Sequence, residues 1–452
     1  MQIHAKRALI GHTWREDVRI SVAGGRISRV MPGANAAPGD VVVDTVLPAL
    51  GNVHSHAFQR AMAGMTERRA AGRESFWTWR DLMYRFLEQL TPEHVQAIAA
   101  MVQVEMLEAG YASVGEFHYL HHAPGGVPYG DPAEMSVRIM AAAEETGIGL
   151  CHLPVLYSRG GVDGRALEGG QRRFGNDPDR FLRLLDSCRA ALSVLPPDAR
   201  LGGAPHSLRA VDAEGLAVAV SAQDGPIHIH IAEQMQEVDD ILAACGARPV
   251  EWLLAQHAVD ARWCLIHATH MSATETAALA ASGAVAGLCP ITEANLGDGI
   301  FNAAAYLEAG GRFGIGSDSN LRIALGEELR LLEYGQRLRE RRRAVLAPEG
   351  ASVGRTLYEG AARGGALALG RDAGEIAPGR LADLVALRCD GPALCALEGD
   401  ALLDGMVFAA PETVVSDVWA AGRHVVRDGR HKRREVVARR YCGVIAQLRD
   451  RL

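Results

Sequence analysis

The feature that most constrains the fold of this chain is an alternation of short apolar runs with Ala- and Leu-rich helical stretches between residues 48 and 370. Such an alternation is typical of βα units built around a parallel sheet. Eight such units predict a (β/α)8 barrel with enlarged loops. The predicted barrel strands are VLPALGNV (46–53), YASVGEF (111–117), GIGLCHLPVL (147–156), RLGGAPHS (200–207), PIHIHIA (226–232), RWCLIHA (262–268), AVAGLCP (284–290) and RFGIGSD (312–318).

The two ends of the chain follow a different pattern. Residues 1–47 alternate apolar with polar positions and break at Gly-Gly and Pro-Gly, which is typical of short strands joined by turns. A similar β-like pattern returns after residue 371 and ends in a basic helix that runs to Leu452. We therefore predict an α/β protein with a barrel at 48–370 and one small composite β-sandwich domain made from 1–47 and 371–452.

Lysine is almost absent from the chain. Of the 47 basic residues only Lys6 and Lys432 are lysines, so the remaining 45 are arginines. A P-loop, a Schiff-base site and a two-metal site bridged by a carboxylated lysine all need a lysine at the site of the chemistry. Because no lysine lies between residues 7 and 431, the sequence excludes these three mechanisms for the predicted barrel.

Charge and cysteine content narrow the class of partner and the compartment. The net charge is -7 and no basic stripe is present, which argues against a nucleic-acid partner. The eight cysteines form no C-x-x-C pair and are interpreted as reduced thiols. The first residues lack an apolar signal core, and no stretch reaches about 18 apolar residues. We therefore expect a cytoplasmic protein with no membrane partner.

Three polar motifs follow predicted barrel strands. His54 and His56 end the first strand, His230 ends the fifth, and Asp318 ends the eighth. The carboxyl ends of barrel strands converge on one mouth, and residues i and i+2 point to the same side. We predict that these four side chains surround one metal ion. Three neutral imidazoles and a carboxylate suit one Zn²⁺ per subunit, and Fe²⁺ fits nearly as well.

Two further side chains are predicted at the same mouth. Glu233 lies three residues beyond His230, where it would carry a proton from an activated water to a leaving nitrogen. His267 ends the sixth strand and would stabilise the attacked centre. Asp318 would accept a hydrogen bond from the metal's water in addition to binding the ion. His228 alternates inward one layer deeper, and we interpret it as a packing or supporting residue.

These motifs resemble the amidohydrolase superfamily over essentially the whole chain. The resemblance rests on GNVHSH, HIHIAE, GSDSN and IAPGRLADLV, and it implies a TIM-type metal-dependent hydrolase barrel. It looks like the mononuclear deaminase branch, which does without a bridging lysine. A second, more specific set of motifs is similar to those of the formimidoylglutamate deiminases: SHAFQRAMAG (55–64), WTWR (77–80), EFHYLHH (116–122), PHSLR (205–209) and HIAEQMQEV (230–238).

The resemblance implies a reaction and a set of substrate contacts. The reaction is the hydrolysis of N-formimino-L-glutamate to N-formyl-L-glutamate and ammonia, a step of histidine degradation. The substrate is a small dicarboxylate, and family habit suggests a homodimer. Trp77 and Trp79 would form part of a lid or would simply pack. By resemblance, the substrate-binding residues are Gln59, Arg80, Tyr119, His206 and Arg209.

Two other functions stay open at the level of sequence. A related metal-dependent deaminase or chlorohydrolase would act on an aromatic heterocycle such as guanine, S-adenosylhomocysteine or a triazine. Such substrates call for stacking walls, whereas aromatic residues make up 5% of the chain. A non-catalytic scaffold would have lost ligands, yet every expected ligand is present. Acceptance of formimino-aspartate or of a guanidino diacid also stays open.

Overall fold

The computed structural model of the chain describes residues 1–67 and 76–449, and for residues 76–78 it describes the backbone alone. The strands form one eight-stranded and one nine-stranded sheet. In chain order they are β1 (Gln2–Ile10), β2 (Thr13–Ala23), β3 (Arg26–Met31), β4 (Val41–Pro48), β5 (Leu50–Ser55), β6 (Tyr111–His118), β7 (Gly149–Leu156), β8 (Arg200–Leu201), β9 (Ala204–Pro205), β10 (Ile227–Ile231), β11 (Trp263–His267), β12 (Val285–Leu288), β13 (Arg312–Ile315), β14 (Leu384–Leu387), β15 (Val415–Ala420), β16 (Arg423–Arg427) and β17 (Arg430–His431).

Helices lie between the barrel strands and at the carboxyl end of the chain. Within the described ranges, none of them is long and apolar enough to cross a membrane. They are α1 (Phe76–Leu87), α2 (Pro92–Glu108), α3 (Glu134–Thr146), α4 (Pro178–Leu192), α5 (Ala213–Ser221), α6 (Met235–Cys245), α7 (Pro249–Gln256), α8 (Ala273–Ser282), α9 (Pro290–Leu296), α10 (Ala303–Glu308), α11 (Leu325–Glu340), α12 (Val353–Ala368), α13 (Asp400–Phe408) and α14 (Arg434–Arg449).

The nine-stranded sheet is the predicted (β/α)8 barrel. Its order is β10-β11-β12-β13-β5-β6-β7-β8, all pairs are parallel, and β9 pairs with β7. Parallel bridges from Gly203 to Ile227 and from Ser207 to His230 join the two ends of this order. Each of the eight predicted runs therefore contains barrel strand structure, and the fold class is confirmed.

Two of the predicted strand runs differ from the structure in their detail. The run 46–53 crosses from β4, which ends at Pro48 in the other sheet, into barrel strand β5. The run 200–207 is two short pieces, β8 and β9. At Gly202, between these pieces, a Cβ would lie 2.5 Å from the carbonyl oxygen of Pro226. Such a close approach between backbones explains why regular pairing is interrupted there.

The last turn of α12 fills the floor of the barrel. A Cβ at Gly51 or at Gly115 would lie 2.7 Å from a methyl group of Leu369, so both glycines make room for this leucine. His228 points to the same floor, where its Nε2 lies 2.8 Å from the carbonyl oxygen of Ala368. His228 is thus a buried supporting residue one layer below His230, as its position in the sequence predicts.

The second sheet combines strands from both ends of the chain. Its order is β17-β16-β15-β14-β4-β1-β2-β3, which places β14 beside β4. The sheet curls back on itself. This is seen where Arg26, on its last strand, forms an antiparallel bridge with Leu381 just before β14. Its concave side encloses a separate apolar core around Ile20 and Trp419. This second sheet, built from both chain ends, fits the predicted small β-domain, and the sequence pattern did not predict α13 beside it.

A buried ionic network joins the sheet of the chain ends to the barrel. Arg371 is almost fully buried and binds Asp383 with two nitrogens, at 3.0 Å each. Its Nη2 also lies 3.2 Å from Asp198, which in turn pairs with Arg423 at 2.6 Å. Since Asp198 precedes β8 and Asp383 precedes β14, Arg371 ties the two sheets together.

Arg371→Met should lower the free energy of unfolding by about 3–5 kcal/mol, because it leaves two buried carboxylates without their shared cation. Urea denaturation followed by circular dichroism measures this change. Arg388→Met is the matched control, since Arg388 and Asp428 are 3.7 Å apart and both are exposed. The control should cost less than about 1 kcal/mol. Equal losses in the two variants would contradict the assigned role of Arg371.

A cluster of three histidines lies away from the barrel mouth. His118, His121 and His152 are all buried, with ring centroids 5.7 Å apart for the first pair and 5.5 Å apart for His118 and His152. Neither ring nitrogen of His152 has a hydrogen-bond partner in the part of the chain that the structure describes. Burial, reinforced by His121, lowers the pKa of His152 to about 3.

This buried imidazole should make the fold sensitive to acid. The unfolded chain takes up the proton near pH 6.5, whereas the folded chain takes it up only near pH 3. The free energy of unfolding that depends on neutral His152 is therefore fully present above pH 6.5 and decreases as the pH falls toward 3. When the pH falls from 7 to 5, the free energy of unfolding of His152→Phe should decrease by about 2 kcal/mol less than that of the unmodified chain. Denaturation curves at both pH values test this, and His12→Phe, at an exposed ring, should leave the pH dependence unchanged.

Candidate metal centre and pocket

The four predicted ligands meet at the mouth of the barrel. The Nε2 atoms of His54, His56 and His230 form a triangle with sides of 3.1, 3.3 and 3.0 Å. Oδ1 of Asp318 lies 3.5 Å from Nε2 of His54 and 3.3 Å from Nε2 of His56. All four side chains are buried. Sequence positions up to 264 residues apart are thus brought to one point.

The spacing of these donor atoms fits one four-coordinate ion. In a tetrahedral site with ligands about 2.0–2.1 Å from the metal, neighbouring donor atoms are about 3.3–3.4 Å apart. The five distances between these donor atoms range from 3.0 to 3.5 Å. Without a cation, three imidazole nitrogens and a carboxylate oxygen so close together would be poorly matched. The donor set and its dimensions therefore suit a zinc-like ion.

Backbone hydrogen bonds hold Asp318 against the two histidines of the first strand. The amide of Asp318 donates to the carbonyl oxygen of His54, and the amide of His56 donates to the carbonyl oxygen of Asp318, both at 2.9 Å. The last strand of the barrel therefore closes onto the first at the position of the ligands. The relative position of three ligand side chains follows from this pairing rather than from contacts between the side chains.

Polar side chains of the same two segments strengthen this junction. Asn52 accepts from the amide of Ser317 at 3.1 Å and donates to its hydroxyl at 2.6 Å. Asn320 accepts from Ser317 at 2.6 Å and donates to Ser55 at 3.1 Å. The buried residues of the GSDSN motif thus support the ligand segment, whereas Asp318 alone of this motif points to the metal position.

Two of the imidazoles are oriented by backbone carbonyl groups. Nδ1 of His56 donates to Phe117 at 2.9 Å, and Nδ1 of His230 donates to His206 at 3.2 Å. A proton on Nδ1 leaves the lone pair of Nε2 available for a metal. Burial, followed by the neighbouring His56, lowers the pKa of His54 to about 3, and burial also holds the pKa of His230 well below its usual range. The three ligands are therefore neutral at physiological pH.

Glu233 and His267 face each other beside this centre. Nε2 of His267 lies 3.7 Å from Oε1 of Glu233 and 3.8 Å from Oδ2 of Asp318. Its other nitrogen, Nδ1, is 3.2 Å from Oε1 of Glu293 on α9. Burial raises the pKa of Glu233. Burial alone would lower the pKa of His267, but the surrounding carboxylates outweigh it and raise the pKa. A buried carboxyl of raised pKa beside an imidazole that the surrounding carboxylates keep protonated is suited to acid–base chemistry.

The backbone is strained where these groups leave their strands. Ala232, His267 and Asp318 have φ angles of 52°, 68° and 45°, in the left-handed region that residues with a Cβ rarely adopt. Such residues cluster at functional sites, where the rest of the fold holds them in place. The turn at Ala232 directs Glu233, the next residue, back over the mouth.

All five predicted substrate-binding residues line one pocket above the metal position. The amide nitrogen of Gln59 donates to the hydroxyl of Tyr119 at 2.7 Å. The ring of Tyr119 lies edge-on to His56, with centroids 4.8 Å apart, and the rings of His206 and His230 are 4.9 Å apart. Arg80 lies over the ring of Tyr84 at 5.5 Å. The structure therefore brings the predicted residues together around one space.

Two acidic residues that contact pocket residues from outside the lining were not predicted from the sequence. Glu293 holds His267, and the buried Glu237 lies 3.5 Å from Arg209. Glu237 lies within the HIAEQMQEV motif, so the motif could have indicated this residue. Nothing in the sequence indicated that its partner is Arg209. The aromatic lining is also richer than the composition suggests. It includes Trp79, Tyr84, Tyr119, Tyr157 and Phe174.

One of the two predicted lid residues, Trp79, has a described side chain. Trp79 is half-buried, lines the pocket and packs against the barrel core. The side chain of Trp77 lies outside the described residues.

Comparison with known families agrees with this geometry. The model of the Amidohydrolase family matches residues 45–425. The chain belongs to the amidohydrolase family. A second model, described as "Formimidoylglutamate deiminase HutF, N-terminal domain", matches residues 1–42. The two matches cover the barrel together with most of the curled sheet.

Curated amidohydrolases that are similar to the chain differ widely in their sequence identity to it. A formimidoylglutamate deiminase from Pseudomonas aeruginosa is 51% identical over 452 residues, with 99% of each chain covered. A 5-methylthioadenosine/S-adenosylhomocysteine deaminase from Natronomonas pharaonis is 28% identical and covers 90% of this chain and 88% of its own. The chain is therefore much more similar to the first relative than to the second.

Solved structures show the same fold. An amidohydrolase from Brucella melitensis is 50% identical, with a TM-score of 0.95 and 99% of both chains covered. An adenosine deaminase from Xanthomonas campestris, solved with bound zinc, is 23% identical and has a TM-score of 0.82 over 100% of this chain and 98% of its own. Members of the amidohydrolase family depend on a metal, and the four convergent donors provide a candidate site for it here.

Purified protein should contain about one transition metal ion per chain, because the donor atoms describe one tetrahedral site. His230→Gln should reduce this content severalfold, whereas His228→Gln, on the same strand one layer below, should retain it. Elemental analysis of the three proteins measures the effect. Unmodified protein that holds no transition metal and takes up none from a zinc solution would contradict the assignment.

Proposed function

We propose that the chain is a zinc-dependent formimidoylglutamate deiminase, which hydrolyses N-formimino-L-glutamate to N-formyl-L-glutamate and ammonia. The full-length identity of 51% to the curated enzyme of that name carries the proposal. The match of residues 1–42 to the amino-terminal domain described for the same enzyme supports it independently. The pocket agrees with it, because two arginines face a centre suited to hydrolysis.

The overall reaction adds water to a formimino carbon and releases ammonia. The oxygen of water bonds to the carbon, the C=N double bond becomes a single bond, and that bond then breaks as the nitrogen leaves with its protons. When bound, zinc supplies a water of lowered pKa and polarises the carbon–nitrogen bond. His54, His56, His230 and Asp318 would hold the ion, and Fe²⁺ is the alternative metal.

In this proposal, Glu233 and His267 move and stabilise charge. Glu233 accepts a proton from the attacking water and transfers it to the leaving nitrogen. A carboxyl whose pKa burial has raised is suited to both halves of that transfer. His267, held by Glu293, presents Nε2 toward Glu233 and Asp318 and stabilises the charge that develops at the attacked centre.

The wall opposite the metal position would bind the two carboxylates of the substrate. Arg80 and Arg209 offer the planar donor groups that suit carboxylates. The side chains of Gln59, Tyr119 and His206 add polar groups between the arginines and the metal. Arg209 lines the pocket with 13% of its side chain exposed, so part of its guanidinium can reach a substrate carboxylate although Glu237 lies beside its Nε.

Deamination of an aromatic heterocycle is the second candidate function. The aromatic lining of the pocket is compatible with a flat ring, so the low aromatic fraction of the chain does not argue against it. The two arginines do argue against it, because neutral heterocycles such as guanine offer no carboxylate. The S-adenosylhomocysteine deaminase relative is also the more distant one, at 28% identity.

We also propose a cytoplasmic homodimer. The eight cysteines are all free thiols, and three of them are exposed, which agrees with a reducing compartment. Sedimentation velocity would test the oligomeric state.

Ammonia release from a panel of substrates tests the proposed function. The zinc-loaded protein should hydrolyse N-formimino-L-glutamate with a kcat/KM at least about 100-fold above that for guanine or S-adenosylhomocysteine, because only the first ligand pairs with both arginines. N-formimino-L-aspartate in the same panel measures the tolerance for a shorter chain. A preference for either heterocycle would overturn the proposal in favour of the second candidate.

Glu233→Gln should keep its zinc and lose about 10²–10⁴-fold in kcat, because glutamine cannot carry the proton. Steady-state kinetics and elemental analysis measure the two effects on the same sample. Gln236→Ala, at an exposed position of the next helix, is the control and should leave kcat unchanged. A variant with full zinc and near-normal kcat would show that Glu233 does not transfer the proton.

A further inference from the structure

Glu237 is a buried carboxylate that the proposed reaction does not use. It lies in the first turn of α6 and is 0% exposed. Its Oε1 accepts a hydrogen bond from the amide of Ala232 at 3.2 Å, and its Oε2 accepts one from the amide of Glu233 at 3.4 Å. The same Oε2 lies 3.5 Å from Nε of Arg209. One side chain therefore contacts the backbone of the proton carrier and the arginine of the pocket.

The contacts with the backbone decide where Glu233 points. Ala232 has a φ of 52°, a conformation that disfavours any residue with a Cβ. The two successive amides of this turn both point at the carboxylate of Glu237. Negative charge in the first turn of a helix is also favourable. Glu237 thus stabilises the strained turn that directs the side chain of Glu233 over the barrel mouth.

The contact with Arg209 decides how the guanidinium is presented. Its Nε edge faces Glu237, while the residue as a whole lines the pocket. A guanidinium is planar and rigid, so an ion-pair partner 3.5 Å from Nε favours an orientation that leaves the Nη donors on the other edge. Those donors are the ones available to a carboxylate of the substrate. Arg209 has 13% of its side chain exposed, and Glu237 is its nearest anionic neighbour among the ion pairs of the described chain.

We propose that Glu237 is a positioning residue that couples recognition of the substrate carboxylate at Arg209 to the placement of Glu233. The inference rests on the proposed function and adds to it a link between binding and proton transfer. Glu237 contacts both Arg209 and the turn that carries Glu233. A substrate carboxylate that binds Arg209 therefore also affects the placement of Glu233. Carboxylates on the substrate therefore raise kcat as well as lowering KM, which is how remote binding energy accelerates a reaction.

A double-mutant cycle tests this coupling. Zinc-loaded unmodified protein, Glu237→Gln, Arg209→Met and the double variant are compared for kcat and KM with N-formimino-L-glutamate. Glutamine keeps the size of the side chain but loses the charge and one acceptor. We expect kcat to fall and KM to rise in each single variant, with kcat/KM reduced about 10–100-fold. The double variant should be less than about threefold worse than Arg209→Met, because both changes break one linkage.

Two outcomes would overturn the inference. The first is a multiplicative loss in the double variant, which would mean that the two residues act separately. The second is an Arg209→Met variant whose KM rises while its kcat stays unchanged. This second outcome can be measured even if Glu237→Gln does not fold. Zinc content and thermal midpoints identify a purely structural loss, and Asp239→Asn, at an exposed position of the same helix, is the matched control and should behave as the unmodified protein.

Failure of the proposed function would be visible separately. In that case the unmodified protein would release no ammonia from N-formimino-L-glutamate. Calorimetric binding of glutarate, a bare dicarboxylate, to the same four proteins still measures the coupling between Glu237 and Arg209. Non-additive losses in glutarate affinity support the linkage, whereas additive losses overturn it.

Discussion

The structure depends on one junction, where the last barrel strand closes onto the first. The peptide groups of Asp318 are hydrogen-bonded to those of His54 and His56, so three of the four candidate metal-binding side chains are positioned by the backbone. Only His230 comes from elsewhere in the barrel. Closure of the barrel thus also brings these three candidate donors together, and a metal bound there would stabilise the native state against the unfolded chain.

Around this junction the mouth is divided between two tasks. One side holds neutral imidazoles, Asp318 and the pair of Glu233 and His267, and it suits the chemistry of the carbon–nitrogen bond. The other side carries Arg80 and Arg209 and suits anions. Glu237 lies at the boundary and contacts both sides. Arg209 lowers the pKa of the Glu233 carboxyl, and Glu237 beside the arginine raises it and so limits this effect.

Much of this arrangement was predictable from the sequence, because it depends on periodicity. Short apolar runs alternate with helices, and the ends of parallel strands must converge, so the meeting of His54, His56, His230 and Asp318 followed from their places in the pattern. The same rule placed Glu233 and His267 at that mouth. Gln59 and the arginines were predicted only through their similarity to family motifs, since a lone arginine among 45 carries little information.

What was not predictable depends on packing between distant segments. Glu293 and Glu237 are acidic residues on helices, and nothing local distinguishes them from exposed ones. Their partners, His267 and Arg209, come from other βα units. The interruption of the fourth strand depends on the close backbone approach at Gly202, which periodicity does not report. The aromatic fraction was misleading because an average over the chain says nothing about where the rings gather.

The turn of α12 that fills the barrel floor affects how substrate enters the site and how products leave it. With Leu369 packed against Gly51 and Gly115, the core of the barrel gives no passage below the metal position. Among residues 1–67 and 76–449, the pocket above the metal position lies at the mouth, so substrate, water and both products would enter and leave there. In the proposed reaction, an organic product above the centre would stand between ammonia and this opening, so the organic product would have to move before ammonia leaves.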